Sequence, residues 1–158
     1  MADRLVINTG PLIALARMDA LDVAAIPPFE FICPREVKDE LDAGATQGYA
    51  LIAPNWLTVV TLSAPLSPVS VAGLDRGEAA VIHLAIEQSV SRVCIDETKG
   101  RRAASAVGLS VIGSLGLMSR AKVLGLIPAL RPLVAKAMQG GVFYHPDLVK
   151  QVLNAIGE

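Results

Sequence analysis

The stretch RVCIDETKGRRAASAVGLSVIG, residues 92–113, reads as a strand, a helix and a second strand. Residues 92–95 and 109–112 are short apolar runs of the kind that lie inside a sheet, and 98–107 between them carries a helical pattern. Strands joined through a helix run parallel, because an antiparallel neighbour needs only a short hairpin. The same alternation continues outward. Residues 114–124 follow as a helix, and 75–88 precede as the clearest helix of the chain. Residues 5–7 form a buried strand that Asn8-Thr9-Gly10 turns into a helix, with Pro11 expected at its first position. Residues 29–33 are a second strand, Pro34 opens a helix through about Leu41 that Gly44 ends, and 57–62 is a β-branched strand with no assigned place in the sheet. Two helices, 128–138 and 146–156, flank Gly140-Gly141. The expected architecture is one α/β domain over residues 1–158 with four or five short parallel strands.

Composition narrows the class. With 158 residues and 53% apolar side chains, the chain can bury a sizeable core as one domain. A formal net charge of −1 removes the simplest sign of a nucleic-acid binder, an overall basic balance. The charge is nonetheless uneven. Residues 1–78 carry five basic and ten acidic side chains, the remainder nine and five, which sets an acidic half against a basic one. Cys33 and Cys94 lack a nearby Cys or His partner and read as buried thiols of a reducing cytoplasm. The uncharged stretches 43–74 and 103–119 are too broken by proline, glycine and hydroxyl residues to span a membrane, and the first ten residues carry no secretory signal. A cytoplasmic location is expected.

Open parallel sheets bind ligands beyond the carboxyl ends of their strands. Asn8 and Thr9 follow the first strand, and Asp96 and Glu97 follow the strand at 92–95. Helix faces add two acids. Val37 and Leu41 define one apolar seam, with Glu40 roughly 60° from Val37 and Glu36 at about 100°. Glu78 shares the inward stripe of Val81, Ile82 and Ala85. An ionised carboxylate facing a dry interior costs several kcal/mol unless it is paired, protonated or metal-bound. If Glu40, Glu78 and Asp96 converge, a divalent cation is the natural compensation, and oxygen ligands select Mg²⁺ or Mn²⁺ over zinc. Each acid also has a plainer explanation: Glu40 as a solvated helix residue, Glu78 paired with Arg76, Asp96 as a helix cap. Lys99, Arg101, Arg102 and Arg76 stand where they would meet backbone phosphates, although a solvated basic helix face explains Arg101 and Arg102 individually at least as well. His83 and Glu87 suit a surface pair, and no aromatic platform for bases is evident. Neither a GxSxG elbow nor a Gly-rich phosphate loop is present.

Taken in order, VINTGPLIALARMDAL (6–21), ICPREVKDEL (32–41), LDRGEAAVIHLAIE (74–87) and VCIDETKGRRAASAVGLSVIGSLGLMSRAKVLGLI (93–127) resemble the PIN-domain ribonucleases, in a bacterial and archaeal branch related to VapC toxins. The resemblance implies a three-layer α/β/α sandwich. It also implies that the family's acidic site falls on Asn8, Glu40, Glu78 and Asp96, with Thr9 as hydroxyl neighbour and Glu97 as a further acid. The activity it implies is Mg²⁺- or Mn²⁺-dependent cleavage of single-stranded RNA, and the implied partners are a second copy of the chain and a small antitoxin. One departure stands out: the first-strand acid of the family is normally Asp, and here it is Asn8. The amide keeps a ligand oxygen and loses a charge, which lowers Mg²⁺ affinity. The rival reading is therefore a degenerate PIN-like module that binds RNA or protein without cutting. A phosphohydrolase with an unrelated acid cluster ranks third.

Overall fold

The computed structural model describes residues 3–25, 29–70 and 72–158. Its centre is a five-stranded parallel sheet made of β1 (Asp3–Ile7), β2 (Phe29–Pro34), β3 (Leu57–Val60), β4 (Arg92–Cys94) and β5 (Ser110–Ile112), in the order β3-β2-β1-β4-β5. Among the described residues eight helices accompany it: α1 (Thr9–Arg17), α2 (Leu21–Ala24), α3 (Arg35–Thr46), α4 (Arg76–Glu87), α5 (Thr98–Ala106), α6 (Ser114–Val123), α7 (Arg131–Gln139) and α8 (Pro146–Ala155). The result is a three-layer α/β/α sandwich. None of the described helices is long and apolar enough to cross a membrane.

Why the site lies where it does follows from the strand order. The chain moves outward from β1 through β2 to β3, returns across the sheet through α4, and continues on the other side of β1 with β4 and β5. The direction of winding reverses between β1 and β4, whose ends pair through Ile7 and Cys94. At such a reversal the loops part above the sheet and leave a crevice. Asn8 leaves β1 at that point and donates its N–H to Cys94 O at 3.0 Å, and Asp96 lies two residues past β4.

The core is aliphatic, as the apolar runs require. Leu5, Val6 and Ile7 on β1 and Val93, Cys94 and Ile95 at β4 are fully buried, and α4 covers β1, β2 and β4 with Val81, Leu84 and Ala85. Both cysteines are buried and free. Phe31 packs edge-on against Phe29 at 6.1 Å and Trp56 at 5.1 Å between ring centroids, an aromatic cluster at this side of the sheet.

Several local expectations are corrected. Helix α3 runs through Gly44 to Thr46, since Gly44 faces open space and costs the helix only its own propensity; Gly48, with φ +97°, follows the end. Pro11 is the third residue of α1. Helix α2 had no sequence signal, being a single turn, and α7 begins at Arg131 rather than near Pro128. The strand at Leu57–Val60 takes the sheet edge beside β2. Glu87 does not pair with His83; its carboxylate accepts the backbone N–H groups of Ser63 at 2.9 Å and Ala64 at 3.3 Å, tying down the chain after β3.

Because Phe31 joins β2 to the edge strand through Trp56, its truncation should loosen that side of the sheet first. Phe31→Ala is expected to destabilise the fold by about 3–5 kcal/mol, read as a lowered urea midpoint.

Candidate metal-binding cleft

Above the β1–β4 reversal lies a cleft of about 920 Å³. Its polar lining includes Asn8, Thr9, Glu40, Asp75, Glu78, Asp96, Glu97, Thr98 and Arg101, drawn from the ends of β1 and β4 and from α3, α4 and α5. Glu40, Glu78, Asp96 and Glu97 thus line one space and Asp75 joins them, whereas Glu36, the other acid near the α3 seam, does not. Of the ion pairs among the described residues, Lys38–Asp42, Lys122–Glu158 and Lys136–Asp19 lie elsewhere, and His145–Asp147 reaches the cleft only through His145; none includes one of these acids.

Each acid reaches the cleft for a local reason. Glu78 stands in the first turn of α4 on the face that also buries Val81, Ile82 and Ala85, so the helix that seals the core carries it to 3% exposure. Asp75 is the N-cap of α4 and accepts the Glu78 N–H at 2.7 Å, which brings the two carboxyl groups side by side. Glu97 is the N-cap of α5 but makes no side-chain cap bond, leaving its carboxylate free. One carboxylate oxygen from each of Asp75, Glu78 and Glu97 lies within 4.8 Å of the others. That is a spacing one divalent cation can span. Glu40 is exposed toward the cleft and accepts the Thr9 hydroxyl proton at 2.5 Å.

Three glycines make the room. A Cβ on Gly77 would strike Glu40 Oε1; one on Gly100 would lie 2.7 Å from Glu78 Oε2; one on Gly113 would lie 2.9 Å from Asp96 Oδ1. Real Cβ atoms essentially never come so close, so a side chain at any of the three would push the acid aside. Each acid therefore occupies volume that a missing side chain provides.

Two oxygens remain without a partner. Asn8 Oδ1 and Glu78 Oε2 are buried and accept no hydrogen bond, on residues only 7% and 3% exposed. Buried acceptors are rarely left so. Burial is the main reason the Glu78 carboxyl is pushed up to about 8; the adjacent Asp75 carboxyl and the charges of Glu97 and Glu40 push the same way. Glu40 is also raised, chiefly by burial of its inner side and further by Asp75, against the Thr9 hydroxyl and the Gly77 N–H. Burial raises Asp96 too, opposed by Ser114 and by the charge of Arg101.

Glu78 has no ion pair with Arg76 among the described residues. Asp96 does act as a cap, though of α6 rather than of the α5 helix that follows it, by accepting the Ser114 N–H at 2.7 Å. Arg101 stands beside Asp96 and donates to Ile95 O at 2.8 Å; with Arg102 it also lines an adjoining cavity of about 630 Å³. Arg76 and Lys99 are exposed and line neither cavity. The sequence reading passed over Asp75 because an N-cap Asp already has a structural explanation. It also passed over Phe143, Tyr144 and His145, which form the opposite wall from the segment between α7 and α8. Only their position next to Gly140-Gly141 hinted at a loop, and nothing in their spacing pointed to the acids.

A carboxyl whose folded pKa is raised contributes stability below its unfolded pKa and loses it as pH rises through the folded value. In EDTA, the melting temperature should fall as pH climbs from about 4.5 to about 8, the interval opened by Glu78. Saturating Mn²⁺ should flatten that fall, and Glu78→Gln should remove most of it. A melting temperature that rises through this interval in EDTA would contradict the assigned charge balance.

A family model for the PIN domain (DUF3368) matches residues 4–158. No curated protein matches the chain. PIN domains form a nuclease family, and the carboxylate cluster described above can hold a metal ion. On a match that covers nearly its whole length, the chain belongs to the PIN-domain family.

Proposed function

We propose that the cleft is the active site of a divalent-metal-dependent endoribonuclease acting on single-stranded RNA. One observation carries the reading: the unpartnered oxygens of Glu78 and Asn8 sit among further carboxylates in a single open cleft. Among the described residues no lysine or arginine pairs with Glu78, so the carboxyl either keeps its proton or is met by a cation that enters the cleft.

The donor set is all oxygen and fits Mg²⁺ or Mn²⁺. Asp75, Glu78 and Glu97 would hold the ion together with Asn8, Glu40 and Asp96. When bound there, such an ion supplies Lewis-acid activation of water and neutralises charge on the scissile phosphate. The protein's own residues prepare the ground. Thr9 fixes the Glu40 carboxylate by its hydroxyl, and Asp75 keeps the α4 N-terminus in place beside it. Arg101, held by Ile95 O, faces both the acid cleft and the neighbouring cavity. It would take a phosphate flanking the one that reacts, with Arg102 beyond it. Phosphate contacts of this kind position a strand without reading its sequence. Arg76 and Lys99 would act only at longer range.

A second reading, binding without cleavage, is favoured by Asn8, whose amide removes one charge from the donor set. The resemblance also brings a second copy of the chain and a small antitoxin into the proposal, as well as a cytoplasmic setting. Val123, Leu124 and Leu126, all exposed at and beyond the end of α6, support self-association. Sedimentation velocity should then show a dimer at micromolar concentration, and a monomer would remove that part.

The main test is cleavage of a labelled single-stranded RNA in Mn²⁺, Mg²⁺ or EDTA. Cutting is expected in Mn²⁺, with loss in EDTA and in Glu78→Gln. Asn8→Asp should tighten Mg²⁺ binding about tenfold, equivalent to ~1.4 kcal/mol. Activity that survives EDTA would overturn the metal-dependent reading, and RNA binding without cutting in every condition would establish the second one.

A further inference from the structure

Asp96 is held from both sides by Ser114, the first residue of α6 and fully buried. The Ser114 N–H donates to Asp96 Oδ1 at 2.7 Å, and the Ser114 hydroxyl donates to Asp96 Oδ2 at 2.8 Å. Against an ionised carboxylate, which only accepts, the single serine proton is committed to that bond. Ser114 Oγ also lies 2.6 Å from the Tyr144 hydroxyl, so in this second contact the tyrosine must be the donor.

We infer that Tyr144 is a positioning residue of the cleft: its hydroxyl donates to Ser114 Oγ, and Ser114 in turn holds the Asp96 carboxylate in one orientation toward the other acids. The inference rests on the metal-site reading above. It assigns part of the site to the segment between α7 and α8, whose Tyr144 lies 30 residues from Ser114.

The geometry supports a role beyond packing. Tyr144 is only 5% exposed, so its hydroxyl has little water to fall back on, and the chain runs from buried Tyr144 through buried Ser114 to the half-buried Asp96 at the cleft. With the tyrosine proton on one lone pair, the serine hydroxyl has one favourable direction left, toward Asp96. Linked hydrogen bonds in a low-dielectric setting also polarise and strengthen one another. One donor on each carboxylate oxygen prevents Asp96 from rotating, and the lone pairs that remain are available to the cleft. Outer partners of metal-binding side chains commonly change affinity or activity by 10–100-fold when removed. Had Tyr144 served only to fill space, its ring would matter and its hydroxyl would not.

The test is Mn²⁺ titration of the full chain by calorimetry, with no RNA present. Tyr144→Phe, which keeps the ring, is expected to weaken Mn²⁺ binding about tenfold. Ser114→Ala should weaken it by at least as much, and adding Tyr144→Phe to Ser114→Ala should change nothing further, because the influence passes through the serine. In the metal-free protein, the amide proton of Ser114 should shift in Tyr144→Phe, since that N–H reports directly on Asp96. Unchanged Mn²⁺ affinity in Tyr144→Phe, or an equal loss in both backgrounds, would overturn the positioning role. Intact coupling without RNA cleavage would leave the role standing and sink the nuclease reading, whereas absence of saturable Mn²⁺ binding by the natural chain would overturn both.

Discussion

Glu78 is a carboxylate that the fold cannot leave alone. It is carried on the same helical stripe that seals the core, so the packing of α4 on β1, β2 and β4 drives it into a place where water cannot fully solvate it. The nearest polar neighbours make matters worse, because Asp75, Glu97 and Glu40 are acids themselves. The macrodipole of α4 offers only about 0.3–1 kcal/mol, which is small beside the desolvation of a charge. Either the group holds a proton or a cation enters. The rest of the cleft is arranged around that alternative, with acids rather than a basic side chain beside Glu78 and with Arg101 set against Asp96.

The other acids show graded degrees of compensation. Asp96 takes two bonds from Ser114 and feels the charge of Arg101, and Glu40 takes one from Thr9 while facing open solvent. Glu97 stands at a helix start without capping it. This gradient matters chemically: the best-held acids can orient ligands, and the least satisfied one supplies the attraction. The glycines at 77, 100 and 113 belong to the same arrangement, since each removes one side chain from the volume that one acid fills.

Much of this was legible beforehand. The alternation of short apolar runs with helical patterns gave the parallel sheet, and the rule that ligands gather past strand ends pointed to Asn8, Asp96 and Glu97. The helical period flagged Glu78 because three core residues share its face. What stayed hidden has physical causes as well. Asp75 looked like a cap because it is one, and its second task depends on where the neighbouring helices end. Tyr144 reaches Ser114 across a sequence gap that no local periodicity bridges. Helix α2 is one turn long and gives no pattern to detect. Gly44 was read as a stop because isolated propensity weighs against glycine, yet the rest of α3 packs well enough to carry it.

Chain order across the cleft has a consequence for the newly made protein. Asn8 and the five acids are synthesised by residue 97, and the tyrosine that braces Asp96 only at residue 144. Domains emerge from the ribosome amino end first. A nascent chain therefore carries these acids for many residues before the brace exists, and the cleft is complete only once the segment between α7 and α8 has docked.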